Sequence, residues 1–229
     1  MTVLPNEGED LHRIRAGVAL RALGHAFVGH HADDELLDEL AVGLETFTER
    51  LGKGDARTRD PIVWREQRLS GPAPDGERMH TYDDRPFSGR SSPWGLGLQV
   101  HRRGDEIEAI VTLDSAHEGA PSRSHGGIVA GLFDDIFGFV LDILQQAAFT
   151  GELTVRYVAP TPLHRPLACR GRLREQVGRK IFIEGELVDI TAGPEGAEQV
   201  VARATGLFIA VDPSAMTPTA RLPAPPDEA

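Results

Sequence analysis

Cysteine is nearly absent from this chain: Cys169 is the single one in 229 residues. One thiol cannot close an intrachain disulfide, so the cross-linked framework of small secreted domains is excluded. Its neighbours Leu167 and Ala168 place it on a strand, as a structural thiol. Long apolar runs are missing as well. The most apolar segment is interrupted by Asp134, Asp135 and Asp142, well short of the ~18 residues that a membrane span needs. The first ten residues have neither the basic nor the apolar stretch of a secretory leader. A soluble, cytoplasmic protein is expected. Basic charge is scarce in both halves. Residues 1–90 hold 17 acids and 12 bases, and the remainder 18 and 12, for a net charge of −11. That balance disfavours phosphate-backbone binding, so no nucleic-acid partner is expected. His30 and His31 are adjacent and point to different sides. Only His25 lies near them, so no metal site is expected.

Three zones follow from the patterning. In the first, residues 1–75, Leu11, Ile14, Val18 and Ala22 recur at helical spacing. Asp33 or Asp34 can cap a second helix running to about Leu51, with Leu36, Leu37, Leu40, Leu44, Phe47 and Leu51 on one side. The reading is a helical hairpin with an apolar face to bury, either as an extension packed on the main domain or as a lid or an oligomerisation arm. Residues 52–95 are rich in Gly, Pro, Arg and Asp, and form an irregular connection with one short strand near Ile62–Gln67.

The second zone, residues 76–212, carries the domain. Strand patterns at 96–101 and 106–113 flank Gly104-Asp105, a hairpin signal. A polar loop then leads into an apolar helix ending near Gln146. Strand patterns return at 153–159, 167–177, 181–191 and 200–211. Two strands, one helix apolar nearly all round, and three or four more strands describe an α+β domain with the helix wrapped by the sheet. The third zone, residues 213–229, has five prolines and is expected to be a disordered tail.

The stretch from His117 to Leu141 is the most informative. A polar loop ends at His125-Gly126-Gly127, and Asp134 follows nine residues after the histidine. Helix starts expose N–H groups with no intrahelical acceptor, which suit a carbonyl oxygen or an oxyanion. A carboxylate inside an apolar helix is costly unless paired or used. Asp134 shares its face with Ala130, Phe137, Gly138 and Leu141, so desolvation there would raise its pKa and suit a general base. Asp135 shares its face with Asp142, which indicates solvent or a polar interface. His125 can also be read as a plain loop cap, and Thr150 as a residue at the helix exit.

Five pieces resemble the PaaI-like acyl-CoA thioesterases, the hotdog-fold group that includes the human thioesterase superfamily members. They are Pro86-Phe87-Ser88-Gly89-Arg90-Ser91-Ser92-Pro93; His125-Gly126-Gly127 with Asp134; Leu153-Thr154-Val155-Arg156-Tyr157 with Pro160-Thr161-Pro162; Val177-Gly178-Arg179-Lys180; and Ala204-Thr205-Gly206-Leu207-Phe208. The resemblance covers about residues 86–212, through the order and spacing of these pieces. It implies a hotdog fold and acyl-CoA thioester hydrolysis. It assigns carbonyl polarisation to His125 and Gly126, water activation or nucleophilic attack to Asp134, and water placement to Thr150. It puts the CoA nucleotide of the substrate on Arg179 and Lys180 with Arg156 nearby, and implies no separate cofactor. The family's Asn or Gln upstream of the histidine has no counterpart in residues 117–124, which leaves Ser122, Ser124 or the backbone for that role.

Helical rise adds a constraint. Nine residues span about 13.5 Å, so the histidine end and the carboxylate of one helix cannot act on one carbon. A shared carbonyl requires two chains, hence a dimer or a tetramer. Two alternatives remain open: a non-catalytic acyl-CoA-binding protein, and an enoyl-CoA hydratase. The second wants Asp and His presented together by one loop–helix segment, and the spacing here is too long for that.

Overall fold

The computed structural model describes residues 7–55, 57, 71–79, 82–193 and 197–212. The strand expected near 62–67 and the tail 213–229 lie outside them. The elements run α1 (Glu7–Gly29), α2 (Asp34–Gly52), β1 (Gln99–Arg103), β2 (Glu106–Thr112), a 3-10 turn (Ser115–His117), α3 (Gly126–Ile143), β3 (Ala148–Tyr157), β4 (Pro166–Val177), β5 (Lys180–Asp189) and β6 (Gln199–Ala210). The strands form one antiparallel sheet in the order β1-β2-β4-β5-β6-β3.

α3 is the centre of the core. Ten of its residues are buried, among them Leu132, Phe133, Ile136, Phe137, Phe139 and Leu141. The inward rows of the sheet, including Ile107, Leu167, Ile183, Leu187 and Phe208, close over it. Cys169 is buried in the same cluster, where desolvation pushes its thiol well above the ordinary range. It is structural, as its strand context implies.

One irregularity decides which side chains face the helix. β3 pairs with β6, and its register shifts between Thr150 and Glu152. Thr150 stands opposite Phe208, Glu152 opposite Leu207 and Leu153 opposite Gly206. The extra residue, Gly151, lets Thr150 and Leu153 both face inward, although strict alternation would put them on opposite faces.

The N-terminal helices behave differently from each other. α1 docks on the domain. Gly17 sits so close to the Ser91 backbone that a Cβ would overlap it. Arg21 donates to the carbonyls of Arg90 and Ser92. The Ala116 N–H donates to His25 Nδ1 at 3.1 Å. α2 is capped by Asp33, whose carboxylate accepts from the Leu36 N–H at 2.9 Å, yet none of its residues is buried. Of the two settings expected for the hairpin, packing on the domain describes α1, whereas α2 is not buried among the described residues. The connection His30–Asp33 leads α2 away from the surface that α1 occupies.

Candidate active site

The loop before α3 is fixed from several directions. The His125 N–H donates to the His117 carbonyl at 2.8 Å, and the Ser124 N–H to that of Thr161 at 2.9 Å. His117 itself is buried. Desolvation, with His25 beside it, lowers its pKa to about 4. A neutral His117 accepts the Asp114 N–H on Nδ1.

His125 takes the N-cap position of α3. Its Nδ1 accepts the Gly127 N–H at 3.0 Å, so the ring does cap the loop. That tautomer leaves Nε2 facing outward from an exposed side chain. The Gly126 N–H has no protein partner among the described residues. The Gly126 carbonyl, in contrast, accepts from the Tyr157 hydroxyl at 2.7 Å. A Cβ on Gly126 would press on that hydroxyl at 3.0 Å. The helix entrance is thus a fixed peptide with one free donor, a geometry suited to a developing oxyanion. Tyr157 is the residue that sequence reasoning passed over. It stood in a quoted motif, but only the pairing of β3 beside α3 shows what it holds. Ser124 is buried, with its hydroxyl 3.4 Å from the His125 carbonyl. The Ser122 N–H is tied to Glu118.

Asp134 lies two turns along the helix and is exposed. Thr150 donates its hydroxyl to Asp134 Oδ1 at 2.8 Å. This pair belongs to one chain, and the β3 bulge places it. Exposure of Asp134 departs from the expected apolar setting, because no other element among the described residues covers it. Asp135 takes the second of the two settings expected for its face, a polar interface rather than solvent. It is 6% exposed and forms an ion pair with Arg85 at 2.5 Å. The Arg85 guanidinium also stacks over Phe139, 5.4 Å from the ring centroid. The irregular segment before β1 covers this face of the helix, and its arginine neutralises the carboxylate.

The basic residues divide. Arg179 and Lys180 are exposed at the β4–β5 turn, where the Arg179 Nε donates to the Ala210 carbonyl at 3.0 Å. That turn adjoins the end of β6 that pairs with Ala148 at the start of β3. Arg156 is not brought to them. It alternates with Val155 and Tyr157, so it lies on the sheet face away from α3. There it lines a groove of about 410 Å³ with Arg170, Arg172, Arg203, Glu184 and Glu186.

With this geometry in place, the comparisons are direct. A thioesterase superfamily protein of known crystal structure aligns over 86% of this chain and 90% of its own, with a TM-score of 0.69 and 24% identity. The sheet wrapped on one helix is the hotdog fold of that superfamily. The mouse (Mus musculus) acyl-coenzyme A thioesterase THEM4 is 30% identical over 128 residues, 54% of this chain and 53% of that protein. This chain therefore spans about half the length of that relative. The PaaI protein of E. coli, from the phenylacetic acid degradation operon, aligns over 51% of this chain and 81% of its own, with 18% identity and a TM-score of 0.45. No protein-family profile matches the chain. No helix among the described residues is long and apolar enough to cross a membrane, and no cluster there could hold a metal ion.

Proposed function

We propose that this protein hydrolyses an acyl-CoA thioester to the free acid and CoA, at equivalent sites each shared by two copies of the chain. One observation carries the reading: on the helix that supplies ten buried residues to the core, Asp134 is exposed and holds the Thr150 hydroxyl at 2.8 Å. A carboxylate so placed can accept a proton from water while the hydroxyl fixes that water. The water attacks the thioester carbon, and negative charge develops on the carbonyl oxygen. The free Gly126 N–H of the second copy meets that oxygen, with the helix dipole behind it. Collapse expels the CoA sulfur, which takes up a proton. Direct attack by Asp134 would give an acyl-enzyme anhydride that water then cleaves, with the same products. Arg179 and Lys180 hold the nucleotide phosphates in this reading. The likeness to THEM4, an acyl-coenzyme A thioesterase, supports the substrate class.

Subunit mixing tests the shared site. Gly126→Pro removes the free N–H, and Asp134→Asn removes the base. Each homodimer is expected to be inactive. A mixed dimer carries one intact site and should recover towards half the wild-type rate. Absence of recovery, with exchange demonstrated by mass, would place both groups on one chain and refute the assignment.

A further inference from the structure

Two apolar faces of the N-terminal hairpin are left open by the described residues. On α2, Leu36, Leu37, Leu40, Leu44, Phe47 and Leu51 fall within an arc of about 100°. The acids Asp34, Glu35, Asp38, Glu39, Glu45 and Glu49 occupy the remainder. None of the six apolar side chains is buried. On α1, Gly17, Arg21 and His25 face the domain. The opposite side carries Ala16, Ala19, Leu20, Leu23, Ala26 and Phe27, with Arg13 and Arg15 beside them. Leu20 is 45% exposed and Phe27 58%. A helix apolar on both sides is one that packs on both sides.

We propose that α2 of one copy packs on the outer face of α1 of a second copy, in a reciprocal exchanged clasp. Three observations select that occupant. The two faces are complementary: one is a leucine stripe flanked by carboxylates, the other a small-residue surface flanked by arginines. They do not meet within a chain, because α2 makes no extended packing with α1 or any other element. The bonds of the connection are local to the two helix ends and tie neither helix to the other. His30 bonds back to the Ala26 carbonyl, and Asp33 caps α2 through both Leu36 and Leu37. A lone 19-residue helix is marginal in water and gains its stability from burying such a stripe. Reciprocal exchange supplies each donor with an acceptor at equal stoichiometry under two-fold symmetry. The inference concerns assembly and does not depend on the hydrolytic reading.

The test uses the full chain. Leu20 and Leu44 sit near the middles of their helices, so helices in contact bring them close whichever way they run. Cys169 is buried and leaves the introduced thiols unopposed. Differently tagged Leu20→Cys and Leu44→Cys chains are mixed and treated with a short bis-maleimide. A cross-link joining the two tags is expected. The double variant Leu20→Cys/Leu44→Cys should link between chains, not within one. Adding Phe47→Asp should lower the yield at least about tenfold, given the ~1.5–3 kcal/mol of a buried phenylalanine. That substitution leaves the domain core untouched, so its circular dichroism should not change. A link within single chains, or none at all, overturns the proposal.

Discussion

Asp134 and Asp135 are consecutive on one helix, about 100° apart, and the fold treats them as opposites. Asp135 is buried and neutralised by Arg85. Asp134 is exposed and holds only a neutral hydroxyl. An ion pair with little solvent around it fixes a helix face. A carboxylate at an open edge, oriented by one hydroxyl, stays accessible to a small molecule. Adjacent acids of identical chemistry thus separate into a packing element and, in the proposed reaction, a reactive one through what surrounds them.

The contrast is broken most directly at its two members. Asp134→Asn is expected to lower acyl-CoA turnover by about 10²–10⁴-fold, the range for a positioned acid or base, with the urea midpoint unchanged. Asp135→Asn should do the reverse: turnover per folded molecule stays within a few-fold, while stability falls by about 3 kcal/mol because Arg85 keeps its charge without its partner. Urea titration and a steady-state assay on both variants decide it, and equal turnover in wild type and Asp134→Asn would remove the assignment. Thr150→Val sharpens the comparison by deleting the one group that orients Asp134. Loss of one hydrogen bond to a charged group, about 1.5–3 kcal/mol, predicts a turnover loss of roughly tenfold or more. Thr150→Ser should restore most of it.

The smallest effect asks whether burial governs a third ionisable group. His117 is held neutral in the fold, with its pKa lowered to about 4 by burial. The unfolded chain binds that proton near the ordinary value of about 6.5. The unfolded state therefore carries more protons between those values. The contribution of His117 is complete above about pH 6.5 and is lost as pH falls towards 4. The expected slope is at most one proton, measured as the pH dependence of the urea midpoint, and His117→Gln should flatten it.

Much of this was legible in the sequence. The succession of strands, the wrapped helix and a cap at Asp33 or Asp34 follow from periodicity and capping chemistry. So does the position of Asp134 relative to His125. Other features were hidden for physical reasons. The first half of β3 is an edge segment with a bulge, so its alternation is broken and the pattern surfaces only at Leu153. Periodicity alone therefore left Thr150 open between a helix exit and the start of a strand. The burial of Asp135 depends on Arg85, 50 positions earlier in an irregular segment that no periodicity can place. The stripe on α2 was plain, but amphipathicity states that a face will be covered, not by what.

The sheet order has a consequence for the time at which the site is completed. β3 sits at the end of the sheet, and its strand neighbour within the chain is β6, the final strand. The carboxylate and the hydroxyl are only 16 residues apart. Yet the bulge that aims the hydroxyl is a feature of the pairing with Gln199–Ala210. During synthesis, a chain that has emerged as far as β5 already carries Asp134 on its helix, but nothing holds Thr150 to it. In the proposed reaction, the pair is therefore assembled only once β6 has formed beside β3.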